Sequence, residues 1–113
     1  MLGAFSYTPG DVATRRFLRD FPGPVNLAVV TACLNLAEQT GGDFAGAWVL
    51  QEAHKLGVKW FPNLRSLVSY GILRRTGVSR GGRRAYYVMP DIEGVRAVLK
   101  EFTESRQPEQ GDA

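Results

Sequence analysis

Cysteine and histidine each occur once in the 113 residues, as Cys33 and His54. A lone cysteine excludes an intrachain disulfide and a cysteine-rich zinc site, and a lone histidine excludes a multi-histidine centre, so no metal site is expected. Both have plain structural readings, Cys33 as a small core residue and His54 as a solvated side chain on a helix. No apolar run approaches the ~18 residues of a membrane-spanning helix. Met1–Pro9 lacks the cationic start and long apolar stretch of a signal peptide, which makes the cytoplasm the expected compartment. Also missing are a Gly-x-Ser-x-Gly elbow, a glycine-rich phosphate loop ahead of a helix, and paired carboxylates beside a histidine. The sequence therefore reads as a non-enzyme without a cofactor.

The most informative absence is of acids. Ala53–Pro90 contains no Asp or Glu, yet it carries Lys55, Lys59, Arg65, Arg74, Arg75, Arg80, Arg83 and Arg84. The rest of the chain holds 6 basic and 11 acidic residues, so a formal charge of +3 conceals a strongly basic segment on an acidic remainder. Segregated charge of this kind makes a local positive potential that favours an anionic partner. Arg outnumbers Lys eleven to three, and the planar guanidinium suits bidentate contact with phosphate.

At 44% apolar and 22% charged residues the composition is that of one globular domain, 1–113, with an ordered core over 8–104 and a polar tail over 105–113. Thr8-Pro9-Gly10-Asp11 reads as a capped helix start, and Val12, Phe17, Leu18 and Phe21 give an amphipathic stripe that Pro22-Gly23-Pro24 breaks. Asn26 then caps a helix over Leu27–Gln39, apolar on most sides and so central. Asp43–Gly46 is an isolated strand or the start of the next helix. Ala47–Leu56 forms a third helix with Trp48, Val49, Ala53 and Leu56 inward, ended by a left-handed Gly57. Pro62 starts a short fourth helix, Asn63–Tyr70, with Trp60 and Phe61 stapling it to the core and Gly71 ending it. Ile72–Val78 and Arg83–Met89 form two strands around a Ser79-Arg80-Gly81-Gly82 loop. Asp91 caps a last helix bearing Ile92, Val95, Val98, Leu99 and Phe102.

From Leu67-Val68-Ser69-Tyr70-Gly71-Ile72-Leu73-Arg74-Arg75 and Gly81-Gly82-Arg83-Arg84-Ala85-Tyr86-Tyr87-Val88-Met89-Pro90-Asp91, the chain resembles a winged helix-turn-helix protein. It is most similar to the small MarR/ArsR-like regulators. The resemblance is close over Leu64–Asp91 and extends in element order to Asn26–Phe102. It implies a mainly α fold with a small β-hairpin, flanked by N- and C-terminal helices. It also implies double-stranded DNA as the partner, transcriptional regulation as the role, and a homodimer through Thr8–Phe21 and Asp91–Phe102. Two features depart from the family. The recognition helix must fit within the 12 residues Lys59–Tyr70, and Pro62 replaces a Ser/Thr-rich start. A helix that short implies contact with few bases. An alternative from another class is a winged-helix module that meets RNA or an acidic protein within a larger assembly.

The resemblance assigns roles to particular side chains. Asn63, Arg65, Ser66 and Ser69 form the polar side of the short helix and become the groove-facing positions, with Lys59 at its start. Arg65 matches guanine and Asn63 adenine. Arg74, Arg75, Arg80, Arg83 and Arg84 on the wing become phosphate contacts. Strand alternation puts Ala85, Tyr87 and Met89 toward the core. It turns Tyr86 outward, either beside a DNA backbone or packed against Arg74 or Arg75.

Overall fold

The structure is a computed structural model that describes residues 8–59, 63–78 and 85–111, with Val78 and 104–111 described by backbone alone. Its elements run α1 (Gly10–Asp20), α2 (Pro24–Thr40), β1 (Phe44–Ala45), α3 (Gly46–Lys55), α4 (Leu64–Tyr70), β2 (Arg74–Val78), β3 (Ala85–Val88) and α5 (Ile92–Gly111). The result is a mainly helical domain with one small antiparallel sheet, in the order expected of a winged helix with a helix added at each end.

The centre is α2. Val29, Val30, Ala32, Cys33, Leu34, Leu36 and Ala37 are all buried on it, which accounts for its all-round apolar sequence. Burial pushes the Cys33 thiol up to about 12, so it is an unreactive filler. α3 and α5 pack on α2, and α1 packs on α5 and α4. Val95, Val98 and Leu99 of α5 enter the shared core with Ala13, Phe17 and Leu18 of α1. The two helices expected to form a dimer interface thus bury these residues inside the protomer, where they pack on each other.

The helix starts differ from the sequence reading. Pro9, not Thr8, holds the N-cap position of α1, with no side-chain bond of its own. The amide of Gly10 instead donates to Asp91 Oδ2 at 2.7 Å, while Asp91 Oδ1 accepts from Gly94 N–H at 3.0 Å. One carboxylate thus serves the N-termini of two helices, where exposed amides and the helix dipole both favour an anion. This works only because residues 10 and 94 lack side chains: a Cβ on Gly94 would lie 2.5 Å from Asp91 Oδ2. α2 begins at Pro24, not after Asn26, because Pro24 occupies the first helical position behind Gly23 at φ 135. The Asn26 side chain donates through Nδ2 to the carbonyl of Phe21.

At the other ends, α3 stops at Lys55, and Leu56 becomes 43% exposed rather than inward. Val58 takes the buried place, its amide donating to the Ala53 carbonyl. β2 begins at Arg74, not Ile72. The amides of Ile72 and Leu73 both donate back to Leu67, closing α4 and burying the two side chains beneath it. α5 continues helically to Gly111, where a polar tail was expected from residue 105.

The sheet order is β1-β3-β2, all antiparallel. Within Asp43–Gly46, Phe44 and Ala45 form a strand that pairs with Tyr87 and Tyr86 of β3, and Gly46 already opens α3. Between β2 and β3 the register shifts at Arg75/Gly77, so Thr76 bulges. Its hydroxyl donates to Asp43 Oδ2 at 3.3 Å, tying the hairpin to the start of β1.

Candidate nucleic-acid interface

The helix-turn-helix pair is α3 and α4. At Gly46, the start of α3, a Cβ would stand 3.1 Å from Tyr87 Cε1 of β3 and 3.4 Å from Leu64 Cδ1 of α4, so the three elements approach closely there. Leu64 and Leu67 are buried, and this leaves Arg65 and Ser69 exposed on the far side of α4, with Ser66 half-buried between the two faces.

Asn63 does not present its side chain freely. Its Oδ1 accepts from the amide of Arg65 at 3.1 Å, making Asn63 the N-cap of α4. The cap engages the Oδ1 that an adenine contact would use, whereas Arg65 and Ser69 are simply exposed. At the other end, Gly71 adopts φ 93, a left-handed turn that glycine makes at little cost.

Lys59, Arg74 and Arg75 are exposed, on the link before α4 and on β2. Among the described residues, Lys59, Arg65, Arg74 and Arg75 form no ion pair, whereas Lys55 approaches Glu52 at 3.5 Å. Cations elsewhere are mostly neutralised in place: Arg15 meets Glu101 at 2.7 Å, and Arg96 meets both Glu38 at 2.6 Å and Glu93 at 2.7 Å. Arg80, Arg83 and Arg84 lie outside the described residues, as do Trp60, Phe61 and Pro62.

Tyr87 and Met89 are directed to the core, as alternation along β3 requires. Arg74 and Arg75 pair in register with Val88 and Tyr87 rather than with Tyr86. Tyr86 stands across from Gly77, and its ring is met edge-on by Trp48 of α3 with centroids 6.1 Å apart. Trp48 was assigned only to the core, and it is half-buried. Nothing local in the sequence pairs it with Tyr86, because that meeting depends on how α3 docks on the sheet.

The described residues contain no group of three His, Cys, Asp or Glu able to hold a metal ion. No described helix is long and apolar enough to cross a membrane. Compared with family models, curated proteins and solved structures, the chain matches none.

Proposed function

We propose that the protein binds double-stranded DNA and acts in the cytoplasm as a transcriptional regulator, with α4 entering the major groove and the β2–β3 hairpin lying along the backbone. The observation that carries this reading is the state of the cations. Lys59, Arg65, Arg74 and Arg75 are exposed and without acid partners among the described residues, on a stretch of chain that has no acid of its own. Keeping like charges together and unneutralised costs free energy, which an anionic partner offsets by releasing condensed counterions. Solubility alone is served equally well by mixed charges.

In this reading Arg65 and Ser69 face base edges, and Lys59, Arg74 and Arg75 hold phosphates, joined by Arg80, Arg83 and Arg84 from the sequence between β2 and β3. The proposal includes no catalysis and no cofactor. The twofold dimer stays part of it, but Val95 and Leu99 belong to the protomer's own core, so other faces of α1 and α5 would have to form the interface.

A second reading has one observation in its favour. α4 spans only seven residues, about two turns, and one end is occupied by its own cap. A helix that short suits a module that docks on RNA or an acidic protein surface as readily as one that reads sequence.

Salt-dependent titration decides between them. Anisotropy of a labelled duplex should report binding that weakens about a hundredfold between about 50 and about 200 mM salt, given four or more phosphates neutralised. Binding to RNA in preference to duplex would move the assignment to the second reading. Failure to bind either at low salt would end both nucleic-acid readings.

A further inference from the structure

The C-terminal end of α4 is pinned to the C-terminal end of α1. The Tyr70 hydroxyl donates to Asp20 Oδ2 at 2.6 Å, a short bond across 50 residues of sequence. The Tyr70 ring lies edge-on to Phe17, with centroids 5.5 Å apart, and to Phe21, with centroids 6.0 Å apart. One residue on, Gly71 sits with its Cα hydrogens toward α1, where a Cβ would come within 3.5 Å of the Thr8 side chain and 3.8 Å of Ala13. α4 thus meets α1 through its last residue and its cap.

Asp20 is the locally wrong residue for its position. It ends α1, where exposed carbonyls and the helix dipole disfavour a carboxylate. It is held as an anion all the same: the Tyr70 hydroxyl, and after it Arg19 at 3.3 Å, keep its carboxyl below the ordinary carboxylate range. An acid placed against the dipole and engaged by a distant hydroxyl points to a tertiary role. α4 needs such an anchor, because a seven-residue helix has no independent stability and takes its direction from what it touches.

We infer that α1 sets the pose of α4 through the Tyr70–Asp20 bond, making both residues positioning residues for the exposed edge formed by Arg65 and Ser69. This rests on the DNA-binding reading as far as the duplex is concerned; the pin itself does not. In this arrangement, α1 determines the angle at which α4 meets bases while contributing no base contact. Loss of the pin leaves Lys59, Arg74 and Arg75 in place and loosens only α4, which carries Arg65. Sequence discrimination is then lost before general affinity.

Tyr70→Phe removes the hydroxyl and keeps the ring; Asp20→Asn keeps the shape and removes the charge. Both are made in the full chain, singly and together, with Asp20→Glu as the rescue. Hydrogen exchange is followed at the amides of α4, and binding is measured to a duplex selected from genomic fragments and to its scrambled version. Each single variant should speed exchange in α4 about fivefold, as expected for one net hydrogen bond. The double variant should do no more than either single one, and Asp20→Glu should restore part of the protection. The ratio of selected to scrambled affinity should fall by a similar factor, with scrambled affinity unchanged. Unaltered α4 exchange in Tyr70→Phe overturns the pin. Faster exchange with an intact affinity ratio overturns its role in presenting α4. If the native chain binds no duplex, the DNA-binding reading fails, and the exchange data still decide whether α1 holds α4.

Discussion

Gly94→Ala separates what a helix prefers from what this fold permits. Within α5 alone the substitution should stabilise by up to about 1 kcal/mol, because alanine is the better helix former. The structure predicts the opposite sign. A Cβ at position 94 would stand 2.5 Å from Asp91 Oδ2 and 2.7 Å from the backbone nitrogen of Asp11. The carboxylate can turn aside only by abandoning its bonds from Gly10 at 2.7 Å and Gly94 at 3.0 Å. The nitrogen belongs to the first turn of α1 and moves only if that helix moves. Losing a shared cap costs about 1–2 kcal/mol, and forcing apart packed backbone about 1–3 kcal/mol more. With the gain in propensity subtracted, the net loss is about 1–4 kcal/mol. At roughly 4 °C per kcal/mol, the melting temperature should drop by about 4–16 °C. Thermal and urea unfolding followed by circular dichroism measures this directly. Asp91→Ala should cost about 2 kcal/mol, and the double variant less than the sum, since both substitutions damage one joint. A melting temperature that stays level or rises in Gly94→Ala would refute the account of that joint.

The remaining predictions concern the interface, the terminal helices and pH. Arg65→Ala should cost about 1–3 kcal/mol on a selected duplex and little on random DNA, whereas Arg74→Ala should weaken all duplexes alike and lower the salt slope by about one. Paired isotherms distinguish the two, and equal losses for Arg65→Ala would make it one more backbone cation. Leu99→Glu should destabilise the protomer by about 3 kcal/mol or more, because Leu99 is only 7% exposed in the chain's own core. A soluble, fully folded Leu99→Glu chain in a melting experiment would contradict that placement. Because the folded-state pKa of Asp20 is depressed, its contribution is present above the ordinary carboxylate range near 4 and is lost as pH falls through the lowered value. Tyr70→Phe should therefore be less stable than the native chain at about pH 6, and the gap should narrow as pH falls below the ordinary carboxylate range. A constant gap in urea midpoints across that range would show that the hydroxyl does not act through the Asp20 charge.

Elements whose signal is local were legible in the residues themselves. The all-round apolar run of α2 marks a central helix before any neighbour is known. Gly57 and Gly71 stand where the residues mark helix ends, and both turn left-handed, at φ 95 and 93. Asp91 as the cap of α5 follows from its place before a periodic apolar run. The basic, acid-free stretch is a property of the chain, and no fold could hide that many cations. Tertiary contact decided the rest. Phe44–Ala45 is strand only because β3 offers it a partner 43 and 41 positions away in register. α1 is capped by a carboxylate 81 residues distant, so the nearby Thr8 is not needed for that bond. Val95 and Leu99 have the same periodicity whether they face a second chain or α1 and α2, and periodicity names a buried face without naming what buries it. On the short helix Asn63 reads as a groove-facing polar position and Tyr70 as an ordinary aromatic one. Their bonds, one to the helix's own start and one across to Asp20, follow from where chain ends meet in space, and composition and spacing carry no record of that.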